Sequence, residues 1–239
     1  MKHLVKSSED STYRFPSVRF ILVALSLGAS SCHNLEQSRQ IDNPAVGGRT
    51  IALQVCSNCH SVNGVSVSPT FPKLAAQPTE YLVNQLTDFK AHQRSDPNAR
   101  RFMWGFTHLS EAQIEQLAAY FSSQPPPTPA PRTSADHRLI ESGRTIFLLG
   151  IPDKGVPACS ACHGLHGEGA GGFPRLAGQY ADYVEKQILV FRSAGLRPRG
   201  EVMKVIADNL SDRDIRAVAA FMEAFPAGSE AAASPAVDH

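Results

Sequence analysis

The string Cys56-Ser57-Asn58-Cys59-His60 recurs as Cys159-Ser160-Ala161-Cys162-His163, and this doubled CxxCH pattern constrains the chain more than any other feature. Two cysteines three positions apart, followed at once by a histidine, place two thiols and an imidazole on one turn of chain. That spacing is the signature of covalent haem attachment, in which the thiols take two vinyl groups and the histidine reaches the iron. A bare CxxC also serves as a redox dithiol or half of a zinc site, and four cysteines can pair as two disulfides. Those readings leave a histidine at the same place twice without a reason.

The motif is embedded in a longer repeat. Gly48-Arg49-Thr50-Ile51 precedes the first copy and Gly143-Arg144-Thr145-Ile146 the second. Downstream, Phe71-Pro72-Lys73-Leu74-Ala75 matches Phe173-Pro174-Arg175-Leu176-Ala177, and Gln77, Tyr81, Gln85 and Phe89 match Gln179, Tyr183, Gln187 and Phe191 at a constant offset of 102. Two homologous modules follow from this. They are expected at residues 44–123 and 136–226, either side of a proline-rich linker over 124–135 that includes Pro125-Pro126-Pro127, read as a semi-rigid extended spacer.

Each module reads as helical. Ile114, Leu117, Ala118 and Phe121 fall at i, i+3, i+4 and i+7, as do Ile215, Val218, Ala219 and Met222, so each closing segment is a helix with one buried face. Ser110 with Gln113, and Ser211 with Asp214, stand at N-cap and N3 spacing. The Tyr81 to Phe89 and Tyr183 to Phe191 stretches supply a middle helix, and no segment alternates convincingly as a strand. The fold class is therefore all-α. Modules of this size have a marginal apolar core, which a large flat cofactor would complete.

Taken together, the CxxCH, the following Pro-x-Leu-Ala, the aromatic mid-helix, a methionine and the closing Leu-Ser helix resemble class I cytochrome c, and the tandem arrangement is similar to the dihaem cytochrome c4 group over roughly residues 45 to 225. The resemblance implies two covalently bound haem c groups, at Cys56, Cys59 and His60 and at Cys159, Cys162 and His163. It also implies that the carbonyls of Pro72 and Pro174 hold the second ring nitrogen of each ligating histidine, fixing the imidazole and tuning the iron; turn prolines are the plainer alternative.

For the sixth ligand, four methionines are available. Met1 is the start, and Met222 aligns with Phe121 on a buried helical face. Met103 and Met203 remain, 7 and 8 residues before Ser110 and Ser211, in the loop where the family carries its ligand. Gap-filling core methionine is the competing role. In the first module His92 and His108 also stand near enough to compete, whereas Trp104, Tyr81 and Tyr183 read as packing residues. The modules differ around the motif. The second has an expansion over Leu148 to Val156 and a glycine-rich loop over Gly164 to Gly172, where the first has a more apolar Val62 to Ser68.

Residues 1–31 read as an export signal: basic residues, the short apolar run Phe20 to Gly28, then Ala29, Ser30 and Ser31. Cys32 directly behind it resembles the lipid-bearing cysteine of a lipoprotein, although Ala29 stands where that pattern usually has Leu; an ordinary cleavage with a spare thiol is the alternative. The segment carries four basic and two acidic residues, so the formal +1 of the whole chain becomes about −1 without it. Such balance argues against nucleic acid as a partner. Residues 227–239 are expected to be disordered.

These readings imply a periplasmic electron carrier, with Cys32 a candidate membrane attachment and redox proteins as partners. Two alternatives stand beside it: an electron-transfer subunit of a periplasmic dehydrogenase or oxidase, and a dihaem peroxidase, which needs an open iron position that two methionine ligands would close.

Overall fold

A computed structural model describes residues 40–129, 137–193 and 195–225. The export segment, Cys32, the part of the linker from residue 130 and the C-terminal tail lie outside these.

In the first module, α1 (Gly48–Ile51) runs through a π-helical turn, Ala52–Cys56, into α2 (Ser57–His60). After a loop come α3 (Thr79–Lys90), a second π-helical turn at Ala99–Met103, a short 3-10 turn, and α4 (Glu111–Ser122). The second module repeats the order with α5 (His137–Leu149), α6 (Ser160–His163), α7 (Ala181–Arg192), α8 (Glu201–Asn209) and α9 (Asp212–Ala224). Among the described residues there are two isolated β-bridges, Ile151 with Val156 and Ala170 with Phe173, and no strands.

The first and last helices of each module cross closely, which explains the glycine of the repeated Gly-Arg-Thr-Ile. A Cβ on Gly48 would lie 2.5 Å from Gln116 Cβ. At Gly143 the backbones are tighter still, and α5 lies directly on α9. Each closing helix begins with the capping box that the sequence predicts. Ser110 accepts from the Gln113 amide and Ser211 from the Asp214 amide, and each N3 side chain bonds back to the cap amide. Below these caps, Ile114, Leu117, Ala118 and Phe121 are buried in one core, and Ile215, Val218, Ala219 and Met222 in the other. Phe147, wholly buried, meets Phe221 and Phe225 at ring distances of 5.7 and 5.6 Å. Burying each such ring contributes about 1.5–3 kcal/mol.

Two elements differ from the sequence expectation. Met203 lies on a nine-residue helix rather than in a loop. Pro198 starts a 3-10 turn ahead of it, Glu201 favours the helix start, and Met203, Ile206, Ala207 and Leu210 give it one apolar face. Met103 ends a π-helical turn, and Gly105, two residues on, disfavours a continued helix. The described start of the linker has no regular structure, yet it is not a free spacer: Pro127 is buried, and a Cβ on Gly178 would meet its Cγ at 3.0 Å.

Candidate haem-binding sites

Each CxxCH motif ends a short helix. Cys56 and Cys159 are half-buried, Cys59 and Cys162 exposed, and all four are free thiols. Burial pushes the Cys56 thiol up to about 12 and the Cys159 thiol to about 11. A redox dithiol needs the opposite, a depressed thiol that ionises readily.

His60 and His163 are each 7% exposed. Their Nδ1 atoms lie 2.9 Å from the carbonyl oxygens of Pro72 and Pro174. A carbonyl can only accept, so Nδ1 carries the proton and the Nε2 lone pair is left to bind a metal. Burial lowers both imidazoles, outweighing the carbonyl bonds that act to raise them, so both are held neutral, the form that ligates. Each proline carbonyl thus accepts the Nδ1 proton of the histidine in its own module.

Above the histidines runs a cavity of about 580 Å³ whose wall includes Cys56, His60, Pro72 and Met103 from the first module, and Cys159, Cys162, His163, Pro174 and Met203 from the second. Cys59, exposed one residue before His60, is not part of that wall. His92 and His108 are exposed and do not line it. His92 instead stacks on Trp104 at a ring distance of 4.2 Å, and Trp104 Nε1 donates to the Arg94 carbonyl at 2.9 Å. Met222 is fully buried in the second core, as its alignment with Phe121 predicts, and like Phe121 it also reaches the cavity wall.

The two sites differ at the histidine edge. Phe71 and Phe173 each face their histidine edge-on at 6.1 Å. Phe71 is covered in turn by Phe102 at 5.2 Å, whereas Phe173 remains 46% exposed.

Sequence reasoning did not single out the polar seam between the modules. Arg94 donates to Gln85 Oε1 at 2.7 Å and Gln187 Oε1 at 3.0 Å; Arg197 donates to the same two oxygens at 2.7 and 2.8 Å. Two arginines, one from each module, are thereby closed into a ring by two glutamine carbonyls. Tyr183 and Tyr81, expected only to pack, take a further bond from Arg94 and Arg197 respectively. Asp96, wholly buried, pairs with Arg94 at 3.1 Å. The duplication marked these glutamines and tyrosines as equivalent positions, but no local pattern showed what they would touch.

These residues fit haem. The donors would be neutral imidazole and thioether, beside the buried thiols of Cys56 and Cys159, in a mainly apolar wall of aromatic and aliphatic side chains. Arg175 Nε, buried in that wall, has no hydrogen-bond partner, and the ring brings two guanidinium charges against the single carboxylate of Asp96. An apolar ring system bearing carboxylates answers both.

Fold and site define a two-module, all-helical c-type haem protein. The cytochrome c family profile matches residues 45–125 and 140–225. The chain is 38% identical to a cytochrome c4 of Azotobacter vinelandii over 71% of its length and 83% of that protein's. A solved cytochrome c4 structure from Acidithiobacillus ferrooxidans superposes with a TM-score of 0.65 at 36% identity, covering 71% of this chain and 98% of that one. A thiosulfate dehydrogenase electron acceptor of Thiomonas intermedia is 34% identical over 75% of this chain and 82% of its own. The chain belongs to the cytochrome c family, in its dihaem, cytochrome c4-like form, and carries two covalently bound haem c groups.

Proposed function

We propose that this electron carrier holds one haem through Cys56, Cys59, His60 and Met103 and the other through Cys159, Cys162, His163 and Met203, and works in the periplasm. The observation that carries this reading is that both proline-held histidines line one cavity together with Met103 of the first module and Met203 of the second, while Met222, which also reaches it, is fully buried in the second core. A bound haem would supply an iron that gains and loses one electron.

The chain's own residues do the rest. Pro72 and Pro174 fix the imidazole planes, so each histidine keeps one orientation as the charge of the site changes. The apolar wall and the thioethers favour the reduced state and a positive potential. The guanidinium groups of Arg94 and Arg197 would supply the countercharge for haem carboxylates along the seam between the modules. Ligation by Met103 and Met203 would leave no place for a substrate at either iron, and so argues against the peroxidase alternative.

Optical spectra with a pyridine-haemochrome count test this directly. Two haems per chain, both low-spin and with the weak near-infrared band of methionine ligation, are expected; one haem or a high-spin signal overturns it.

Service as the electron acceptor of a periplasmic dehydrogenase is the second reading, supported by the name of the Thiomonas relative. Reduction of the purified protein by such a dehydrogenase at a rate matching its turnover supports it. Membrane attachment would rest on Cys32 or on a partner, since the near-neutral charge of the chain behind the export segment supplies no basic surface for it. A lipid-modified N-terminal peptide in the mass spectrum of the mature protein, lost in C32S, is the expected result.

A further inference from the structure

Each carbonyl that holds a histidine belongs to a peptide group whose other end is gripped by the opposite module. Pro72 O accepts from His60 Nδ1 at 2.9 Å, and the N–H of that same peptide unit, on Lys73, donates to Gln179 Oε1 at 3.0 Å. In the other direction, Pro174 O accepts from His163 Nδ1 at 2.9 Å, and the Arg175 N–H donates to Gln77 Oε1 at 2.9 Å. Each glutamine also donates Nε2 to the carbonyl of the residue it holds, Gln179 to Lys73 O at 2.9 Å and Gln77 to Arg175 O at 2.8 Å. Both glutamine side chains lie in residues only 5% exposed, so water does not compete for these bonds.

We infer that Gln179 and Gln77 are positioning residues that tune the iron ligand of the opposite module, Gln179 acting on His60 and Gln77 on His163. This rests on the histidine ligation proposed above. Hydrogen bonds in series polarise one another. An amide whose N–H is engaged places more negative charge on its oxygen, which draws harder on the imidazole Nδ1 proton. The imidazole becomes a more basic ligand, and a more basic ligand favours the oxidised iron. Each haem's potential is thereby tied to the seating of the other module. A role confined to holding the modules together predicts no such selectivity.

The test uses the complete dihaem protein with Gln179→Met, which keeps the length of the side chain and removes its hydrogen bonds. The two haems are followed separately in a redox titration by NMR. The haem of the first module is expected to rise in potential, its oxidised-to-reduced ratio at fixed solution potential falling about three- to tenfold, where tenfold is about 59 mV for one electron. The second haem stays in place, and the His60 Nδ1 proton exchanges faster while that of His163 does not. Gln77→Met gives the mirror result. A Gln179→Glu variant, which retains an acceptor oxygen, guards against a misfolded Met variant and moves the first haem in the opposite direction. Equal shifts at both haems, or none at either, overturn the inference. Loss of histidine–methionine spectra from the unmodified protein overturns the ligand reading instead.

Discussion

Gly143 packs so tightly on Ala217 that a Cβ at that position would stand 1.9 Å from the Ala217 carbonyl oxygen. That backbone cannot yield without separating α5 from α9, on which the second core is built. Gly143→Ala is therefore expected to destabilise the chain by at least the about 1–3 kcal/mol typical of overpacking. Gly105→Ala, whose added Cβ would meet nothing within 4 Å beyond its chain neighbours, is expected to be near neutral. Urea unfolding of the two variants checks the contrast.

The cap of α9 carries a pH dependence. Burial acts to raise the Asp214 carboxyl, but bonds from Lys154 and Ser211 outweigh it and hold the group below its ordinary value of 3.8. Its contribution is fully present above that value and is lost as the pH falls through the lower, folded value. Asp214→Asn is expected to flatten this acid limb of the stability curve. Ser211→Ala should cost about 1 kcal/mol at neutral pH. Thermal melts across the acid range test both.

Met103 and Met203 line the cavity, and His92 and His108 do not. Replacing either methionine by Ala is expected to remove about half of the near-infrared band and lower the potential of one haem only. His92→Ala and His108→Ala are expected to leave the band whole. Both haems of the unmodified protein are expected to titrate at positive potentials; a strongly negative midpoint at either contradicts methionine ligation there.

Arg94 and Asp96 are both buried, with side chains 7% and 0% exposed. Arg94→Met leaves the carboxylate without its charge partner and is expected to cost about 3–5 kcal/mol. The pair Lys204 and Asp208, on an exposed turn of α8, is expected to contribute only about 0.3–0.5 kcal/mol. Denaturant titrations of Arg94→Met and Lys204→Met separate the two cases.

Chain produced without haem attachment is expected to be largely unfolded, since the cavity wall would otherwise expose its apolar lining to water. A cooperative thermal transition in haem-free material contradicts this.

Much of this was legible from residues close together in the chain. The haem motifs, the capping serines and the buried faces of α4 and α9 follow from spacings within a few turns. The helix carrying Met203 was missed, because nine residues with one apolar edge give a weaker signal than a full amphipathic helix. The arginine ring and the glutamine bonds were illegible for a different reason. The partners that cross between the modules lie about a hundred positions away, and no local periodicity records which distant group a side chain or backbone amide will meet. Duplication showed that Gln77 and Gln179 are counterparts; only folding showed that each serves the other's module.

That exchange has the logic of a two-fold axis. A patch that holds its own copy, residue for residue and in both directions, is what joins two identical subunits. A free-standing ancestor bearing one Pro-x-Leu-Ala-x-Gln segment would already have possessed both halves of the contact, so that joining two copies in one chain needed a tether and no new surface.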